Sequence, residues 1–551
     1  MKGFFRQSMA WLHTWVGLLP AWILYFVFLT GTAGYVNYEI DQWMQPELPA
    51  PQAVADPVTA ARHAEQWLRE TSPPGTSRWR IYLPSDRPNR VAYQLRVSHA
   101  GGGQFGKAIL DASTGAVIEP RQTGGGQALY VMHYALHYLP TLAGWWIVGI
   151  CTMLMLVALV TGIVVHKKIF KEFFTFRPGK GQRSWLDAHN VASVVSLPFQ
   201  LMITYSGLVL FLFTCIPFVL MGVYGTGDEA RKQFDREAYS ELRSTASAGR
   251  PAPLVPLQDL VRQSLALWPP GQAPLVIDVR HPGDANARIF LRPRLSTTAL
   301  RPQADALLFD GTTGTLLQRV APERRPASIL RDTLFSLHEG VFAGPVLRSL
   351  YVLSGLLGAA MIATGAILWT VKRRPGNAPA ARDVDLVSRL NIGTFVGLPV
   401  AITAYFWANR LLPVNLPDRA DWEVHAMFLT WATLLVHAAL RPPERSWTEQ
   451  LRLAAAAFAL LPLLNALTTD RHLAQSLSAG DWVFAGFDLV MLGLGLLFAA
   501  AARQARVNAA ASIALNVATS DVSAREPPLR CGTAARARTD RPRPGWRCSR
   551  P

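Results

Sequence analysis

The sequence predicts a polytopic α-helical membrane protein of about eight spans, the first four forming an internal duplication, with two small α+β extracytoplasmic domains. Three observations predict this class. Half of the 551 residues are hydrophobic, and there are 17 tryptophans. Long apolar runs recur along the chain, and two long polar segments separate the first four of them. That pattern is too apolar for a soluble protein and too polar for a bundle of spans alone.

Eight apolar runs are candidate spans, because crossing a hydrocarbon core of ~30 Å takes about 20 helical residues. Six of the runs approach or exceed that length, and the sixth and seventh are shorter. The runs are Trp11–Tyr35, Leu142–Val165, Val191–Met221, Val346–Val371, Ile392–Leu412, Val424–Leu440, Leu453–Leu467 and Val483–Ala502.

These runs divide the chain into membrane, cytoplasmic and exported parts. We expect spans one to four at 1–35, 141–166, 186–221 and 345–371, exported domains at 36–140 and 222–344, cytoplasmic loops at 167–185 and 372–390, a C-terminal four-span extension at 391–503, and a tail at 504–551. The tail is rich in Ala, Arg and Pro and has no periodicity, so we expect it to be disordered.

The basic residues of the short loops predict the orientation of the chain. They precede span one and follow spans two, four and six, so the positive-inside rule places both termini in the cytoplasm of a bacterial inner membrane. Much of the net charge of +17 is then topological, and it does not indicate nucleic-acid binding. The residues are Lys2, Arg6, Lys167, Lys168, Lys171, Arg177, Lys180, Arg183, Lys372, Arg373, Arg374, Arg382, Arg441, Arg445 and Arg452.

The four cysteines and the first span limit other possibilities. Cys151 and Cys215 fall inside spans, and Cys531 and Cys548 fall in the tail, so the exported domains have no disulfide. No Cys-x-x-Cys-His motif is present, which argues against covalently attached haem. We interpret the first run as a span and not as a cleaved signal, because it is too long and no small-residue cleavage site follows it.

The first half of the chain contains a repeat of histidines and small residues. His13 and His189 each begin the first span of a repeat, and each is followed by a proline and then by Thr30-Gly31 or Ser206-Gly207. Leu136-His137 precedes Thr161-Gly162, as Leu337-His338 precedes Thr364-Gly365. A long polar loop separates the two spans in each repeat.

The two loops share a predicted order of elements. Each opens with a helical pattern, at Pro57 and at Pro256, followed by strand-like alternation. Each closes with an Asp followed four residues later by Gly, in Asp111–Gly115 and Asp310–Gly314, which predicts a turn with the glycine at positive φ. We therefore expect two small α+β domains, each tethered to the membrane at both ends.

The repeated histidines predict two metal centres at two depths. We pair His13 with His189 near the inner face and His137 with His338 near the outer face, because facing helices can supply two axial imidazoles to a haem iron. The alternative is that these histidines are interfacial side chains that snorkel or cap helices. Ligation is favoured because four histidines stand at equivalent repeat positions.

Other residues near the predicted centres have alternative roles. His133 lies four residues before His137 on the same helical face, and could be the ligand, a second-shell group or an acid. His166 ends span two, where an interfacial role is favoured over ligation. Arg348 could bind a haem propionate or snorkel to the interface. Lys167, Lys168 and Arg183 could do the same at the inner face, and the membrane acid Asp488 could carry protons or hydrogen-bond within the bundle.

The sequence carries no signature for a nucleotide cofactor. There is no Walker A sequence and no Rossmann glycine fingerprint. Electrons for a haem centre would therefore come from an outside donor, such as a quinol or a cytoplasmic reductase.

The chain resembles the PepSY-associated transmembrane helix proteins, in the iron-regulated group that includes bacterial inner-membrane ferrisiderophore reductases. The resemblance covers roughly residues 5–375, and the later spans look like an extension of longer members. Asp187-Ala-His189 departs from the pattern, which more often has a basic residue beside the histidine. The residues that carry the resemblance are the Trp11-Leu-His13-Thr-Trp-Val-Gly opening, Asp111–Val117, Leu136-His137, His189, Asp310–Leu316 and Leu337-His338.

The resemblance implies PepSY-like exported domains, two b-type haems and one-electron reduction of ferric siderophores. Together with the histidines, it predicts an inner-membrane di-haem protein that passes electrons to a ferric siderophore and releases iron in the periplasm. Two other classes stay open. One is a component of a siderophore or iron transporter, and the other is a PepSY binding or regulatory membrane protein without redox activity. An absorbance spectrum separates them.

Overall fold

The structure is a computed structural model. It describes residues 2–49, 55–85, 91–99, 102–166, 175–215, 225–230, 233, 246–294, 305–320, 326–374 and 381–525. The predicted cytoplasmic lysines Lys167, Lys168 and Lys171 and the tail cysteines Cys531 and Cys548 lie outside these residues.

The first predicted span is two helices. Helix α1 is Lys2–Leu18 and α2 is Ala21–Gly34, and they are bent by 61° at the break between them. Pro20 lies at this break, where its ring and missing N–H interrupt the helical hydrogen bonds. Helix α3, Asn37–Met44, then leads into the first sheet-bearing loop.

The first loop supplies one long helix and four strands. These are α4, Pro57–Thr71, and β1 to β4, Thr76–Tyr82, Val91–His99, Gly102–Leu110 and Val117–Ile118. Pro57 begins α4 and the Asp56 side chain accepts the backbone N–H of Thr59, as expected for a helix N-terminus. Helix α5, Gly125–Ala135, returns the chain to spans α6, Thr141–Val165, and α7, Gln182–Cys215.

The second loop repeats that order of elements. Helix α8 is Leu257–Leu267, and β5 to β8 are Pro274–Arg280, Arg288–Pro293, Ala306–Asp310 and Leu316–Val320. Helix α9, Pro326–Glu339, then leads into α10, Pro345–Arg373.

The strands of both loops form one antiparallel sheet. Its order is β4-β3-β2-β1-β5-β6-β7-β8, so β1 and β5 join the two loops. Helices α4 and α8 cover one face, where their apolar residues pack on side chains such as Trp79, Ile277 and Phe309. The expectation of two separate domains is therefore corrected: the free edges of β1 and β5 pair with each other, and a shared core forms beneath them.

The two predicted Asp-to-Gly turns are confirmed. Oδ1 of Asp111 accepts the backbone N–H groups of Ser113 and Thr114, each at 2.9 Å. Gly115 has φ +75°, and the corresponding Gly314 has φ +73°. The side-chain hydrogen bond from Ser113 is the main cause that lowers the pKa of the Asp111 carboxyl.

The C-terminal part is helical. It contains α11, Arg382–Phe395, α12, Gly397–Leu411, α13, Arg419–Leu440, α14, Pro443–Thr468, α15, Leu473–Ala479, and α16, Trp482–Arg525. Within the described residues, seven helices are long and apolar enough to cross a membrane, with α11 and α12 acting as one span. The count rises to eight if α1 and α2 form one bent span, which agrees with the eight predicted.

The last described helix extends into the segment that the sequence analysis assigned to the tail, and the disorder of the tail stays a prediction. Helix α16 continues through the beginning of the tail to Arg525, because this stretch is rich in alanine, the strongest helix former. Residues 526–551 lie outside the described part of the chain.

Candidate functional site: two pairs of facing histidines

The first pair is His13 on α1 and His189 on α7. Their ring centroids lie 6.3 Å apart. Nδ1 of His13 is 2.9 Å from the carbonyl oxygen of Ala158, and Nδ1 of His189 is 2.9 Å from that of Met361. The structure therefore brings together the two residues that the sequence predicted as the inner pair. Ligation of a haem by them stays a prediction.

The second pair is His133 on α5 and His338 on α9, with ring centroids 6.1 Å apart. Nδ1 of His133 is 2.8 Å from the carbonyl oxygen of Val27. Nδ1 of His338 bonds to the carbonyl of Ile203 and lies 3.0 Å from the Ser206 hydroxyl. We refer to the two sites as the His13–His189 site and the His133–His338 site.

The predicted pairing of His137 with His338 is wrong. Helix α5 ends at Ala135, and Leu136 has φ +54°, so His137 lies beyond the helix. Its ring stacks on Phe428 at 5.7 Å and meets Tyr138 at 4.2 Å. In contrast, α9 continues to Glu339, so His338 is still helical.

Each of the four facing histidines is seated in the same kind of cradle. The ring packs against the glycine of a Thr-Gly or Ser-Gly step on a neighbouring helix. A Cβ at Gly162 would lie 3.1 Å from His13, one at Gly365 would lie 3.0 Å from His189, and one at Gly207 would lie 2.8 Å from His338. A Cβ at Gly31 would collide with Nδ1 of His133.

The residue before each glycine completes the cradle. Thr161, Thr364, Thr30 and Ser206 bend their hydroxyls back to carbonyls of their own helices. In each case the carbonyl that meets the histidine belongs to the residue three positions before the Thr or Ser. The Thr/Ser-Gly steps that the sequence repeats are thus the four seats for imidazole rings.

The cradles fix the protonation of the rings. A carbonyl oxygen can only accept, so each Nδ1 carries the proton that it donates. Nε2 is then left with its lone pair. A metal-binding histidine commonly donates its other N–H in this way, which fixes the tautomer and makes the imidazole a better ligand.

The His133–His338 site opens into a cavity of about 530 Å³. Its walls are mainly apolar and come from α2, α6, α7 and α10. Its polar lining residues include Tyr35, Tyr130, Tyr134, Asp332 and Glu339, and the Tyr130 hydroxyl donates to Glu339 at 2.6 Å. A mostly apolar cavity with a few polar groups is typical of a cofactor site.

The ring separations fit two imidazoles that would bind one metal ion. A bond from an imidazole nitrogen to a metal ion is about 2.0–2.1 Å, so two such bonds hold the nitrogens roughly 4 Å apart. Ring centres lie about 1 Å behind those nitrogens, which gives a centroid separation of roughly 6 Å. Within the described residues, no group of three or more His, Cys, Asp or Glu side chains could hold a metal ion. A porphyrin, which supplies four ligands itself, fits both observations.

The two sites lie at different depths of the bundle. His189 and Gly207, which seats His338, are both on α7 and eighteen positions apart. At a rise of 1.5 Å per residue they are separated by about 27 Å of helix. This length approaches the thickness of a hydrocarbon core, ~30 Å.

Arg348, the predicted propionate partner at the outer end, does not line the cavity. Arg348 donates to the carbonyl of Ala343 at 2.7 Å and to Glu39 at 3.4 Å. No Lys or Arg is present among the described lining residues. Arg348 does not need a propionate as its partner, since Glu39 at the start of α3 supplies the anion that an arginine within a membrane span needs.

The remaining predicted residues are placed as follows. His166 caps the C-terminal end of α6, and its ring belongs to neither of the two facing pairs. Asp488 accepts hydrogen bonds from Trp43 at 3.2 Å and from Asn465 at 3.1 Å, which supports the bundle interpretation over proton transport.

A family comparison bears on this arrangement. The family model of the PepSY-associated TM region matches residues 10–372, which is more than half of the chain. The chain belongs to this family. No curated protein matches it.

The family match spans both histidine sites of this PepSY-associated TM protein. His13 lies three residues inside its beginning, and α10, which seats His189, ends at its other limit. The C-terminal helices α11 to α16 lie beyond the residues that the family model matches.

Proposed function

We propose that this membrane protein holds two b-type haems and passes electrons across the bilayer to a ferric siderophore. The observation that carries the proposal is the geometry of the facing imidazoles. His13 and His189 would hold one haem, and His133 and His338 would hold the other. A haem bound in this way supplies one-electron redox chemistry, and its potential depends on its axial ligands and its burial.

The protein's own contribution is to prepare the ligands and exclude water. The cradle carbonyls hold the Nδ1 protons, so the Nε2 atom of each ring keeps a lone pair that can bind a metal ion. The glycines let the rings approach their seats. Because rings and seats come from different helices, folding of the bundle pre-organises each site before a cofactor binds.

The depth of the two sites supports a transmembrane path. The His13–His189 site lies at the end of α7 that follows Arg177, Lys180 and Arg183. The basic residues predict that this end is cytoplasmic. Helices α5 and α9, which carry His133 and His338, follow directly from the sheet-bearing loops, and those loops would then face the periplasm.

Reduction of the metal would release it from its carrier. Siderophore oxygens are hard ligands that favour Fe(III) over Fe(II), so a ferrous ion is held less tightly. In the proposed direction, the haem that His13 and His189 would hold would take electrons from a quinol or a cytoplasmic reductase. The haem that His133 and His338 would hold would pass them on, on the side of the sheet.

An absorbance spectrum of the purified protein tests the proposal. We expect a Soret band, sharp low-spin bands on reduction with dithionite, and two haems per chain from a pyridine haemochromogen assay. A colourless protein from haem-replete cells would contradict the proposal and favour a binding or transport function.

A further inference from the structure

The sheet shared by the two loops has a face that carries arginines. Helices α4 and α8 cover one face, on which Trp79, Ile277 and Ile289 are buried. Side chains alternate along a strand, so the neighbouring residues lie on the opposite face. That face carries five arginines and two aspartates on β1, β5, β6 and β7, which we call the arginine face: Arg78, Arg80, Arg280, Arg288, Arg292, Asp278 and Asp310.

Three of these arginines stand in one row across the sheet. Arg78 on β1 is directly opposite Arg280 on β5, and Arg280 is directly opposite Arg288 on β6. Like charges directly opposite on neighbouring strands destabilise a sheet. The repulsion within the row is therefore unfavourable, and an anion bound from outside the sheet would offset it.

The two aspartates neutralise only the ends of the row. Arg78 forms a two-pronged ion pair with Asp278, with Nε to Oδ1 at 2.7 Å, and Arg288 pairs with Asp310 at 2.9 Å. In the part of the chain that the structure describes, neither Arg280 nor Arg292 has a carboxylate within ion-pair distance. Five positive and two negative side chains leave a net charge of +3 on the face.

Arg292 extends the positive charge onto accessible surface. It is exposed, and its guanidinium carbon lies 5.2 Å from the ring centre of Phe290. Its pKa is lowered by partial desolvation and, against the effect of Asp278, by the positive charges of Arg80, Arg78 and Arg280. Arg292 stands four positions along β6 from Arg288 on the same face, so its long side chain extends the positive charge beyond the row.

We propose that the arginine face binds a compact polycarboxylate, such as a ferric chelate whose carrier is a carboxylate siderophore. Neighbouring strands are about 4.8 Å apart, so adjacent guanidinium groups of the row can each fork onto a different carboxylate of one small molecule. The inference rests on the proposed function and names the class of substrate that the sheet would recruit. A row of forks spaced in this way suits several carboxylates on one compact molecule better than a single lipid headgroup.

Binding of gallium(III) citrate, a redox-inert carboxylate chelate, tests the proposal. The full chain is placed in nanodiscs of zwitterionic lipid, and affinity is measured by titration calorimetry. We expect Arg280→Gln and Arg292→Gln each to weaken binding by about tenfold, as for the loss of a charge-assisted hydrogen bond. The matched control is Arg262→Gln, which removes an arginine from α8 on the other side of the sheet and should leave the affinity unchanged.

The stability of the ligand-free variants guards against a folding artefact. Arg280→Gln removes the repulsion of the Arg280 charge by Arg78 and Arg288, so the melting temperature of this variant should equal or exceed that of the wild type. A marked decrease would make Arg280 a structural residue and overturn the proposal. Equal affinities in all variants, no binding by the wild type, or binding only to nanodiscs of anionic lipid would also overturn it.

The haem spectrum of the same preparations separates this inference from the proposed function. If the protein binds gallium(III) citrate but contains no haem, the carboxylate site is supported and the redox function is contradicted. If it contains two haems but does not bind the chelate, the redox function is supported and the carboxylate site is contradicted.

Discussion

His133 and His338 face each other across the apolar cavity with ring centroids 6.1 Å apart, although they are 205 positions apart in the chain. His137, one helical turn from His133 in sequence, is turned away onto Phe428. Which of the two histidines faces His338 is therefore decided by where α5 ends. A continuous helix through residue 137 would have left both histidines on one face.

Separate substitutions of His133 and His137 test which of these two histidines holds a haem. His133→Ala should reduce the haem content from two per chain to one, because it removes one of the facing imidazoles, and His338→Ala should do the same. His137→Ala is the matched control and should keep both haems. The measurement is the pyridine haemochromogen assay per mole of protein. Loss of a haem in His137→Ala with retention in His133→Ala would restore the pairing that the sequence suggested.

The sequence could not distinguish these two histidines by spacing. Leu136-His137 repeats Leu337-His338, and it lies 24 residues before Thr161, whereas His338 lies 26 residues before Thr364. His133 lies 28 residues before Thr161, so both choices differ from the repeat by two. The positive φ of Leu136 decides which histidine faces His338. This φ is not predictable from the sequence, because the residue is not a glycine or an asparagine.

Other parts of the fold were predictable because their signals are local. Apolar length gave the spans, and the Asp-to-Gly spacing gave both turns at Gly115 and Gly314. The pairing of β1 with β5 was not predictable, because strand partners distant in sequence depend on tertiary contacts. The Thr/Ser-Gly steps were visible as repeat landmarks, but their role as seats for histidines required the packing of helices.

The cradle glycines should be sensitive to a single added methyl group. Gly207→Ala would place a Cβ 2.8 Å from the His338 ring, closer than packed carbon atoms approach, so the ring must leave its seat. We expect a loss of haem affinity of about tenfold or more at the His133–His338 site, as for other disturbances of a metal ligand's support. Haem retention during dialysis against apomyoglobin measures this.

Gly149→Ala is the matched control for this substitution. It lies in span α6, and its new Cβ would be 3.9 Å from the Phe211 ring, an ordinary contact. The same retention of haem in both variants would mean that Gly207 does not seat a ligand.

The hydroxyl of Ser206 should tune the potential of the second haem without being needed for binding. Ser206 donates to the carbonyl of Met202 and can accept the Nδ1 proton of His338 at 3.0 Å. Ser206→Ala removes that acceptor and leaves the Ile203 carbonyl, so the imidazole donates less charge to the iron and the ferrous form is favoured.

We expect two haems in Ser206→Ala and a midpoint potential higher by roughly 20–60 mV, which corresponds to one net hydrogen bond in a one-electron couple. Spectroelectrochemical titration gives the value. Ser206→Thr, which keeps the hydroxyl, is the control and should stay near the wild type. A lower potential in Ser206→Ala would contradict the proposed direction of hydrogen bonding.

A buried ion pair ties the C-terminal helices to the segment that precedes α5. Arg419 and Glu423 are fully buried on α13 and bond to each other. Glu423 also accepts from Asn409 at 2.7 Å and from the backbone N–H of Gly124 at 3.2 Å, and it bonds with Thr123. This network therefore connects a region outside the family match to the helix that carries His133.

Glu423→Ala should destabilise the protein strongly, because it leaves the Arg419 charge buried without its carboxylate. Removing one partner of a buried ion pair costs about 3–5 kcal/mol. Asp259→Ala, which breaks the exposed pair with Arg262, is the control and should change the stability by less than about 1 kcal/mol. The measurement is the midpoint of thermal unfolding in detergent, together with haem content.

Thr123 and Gly124, which contact Glu423, directly precede α5. Loss of the Glu423 carboxylate should therefore loosen the His133–His338 site before the His13–His189 site, so partial haem loss on warming should come first from the His133–His338 site. Equal midpoints for the two variants would mean that the C-terminal helices are held by apolar packing alone.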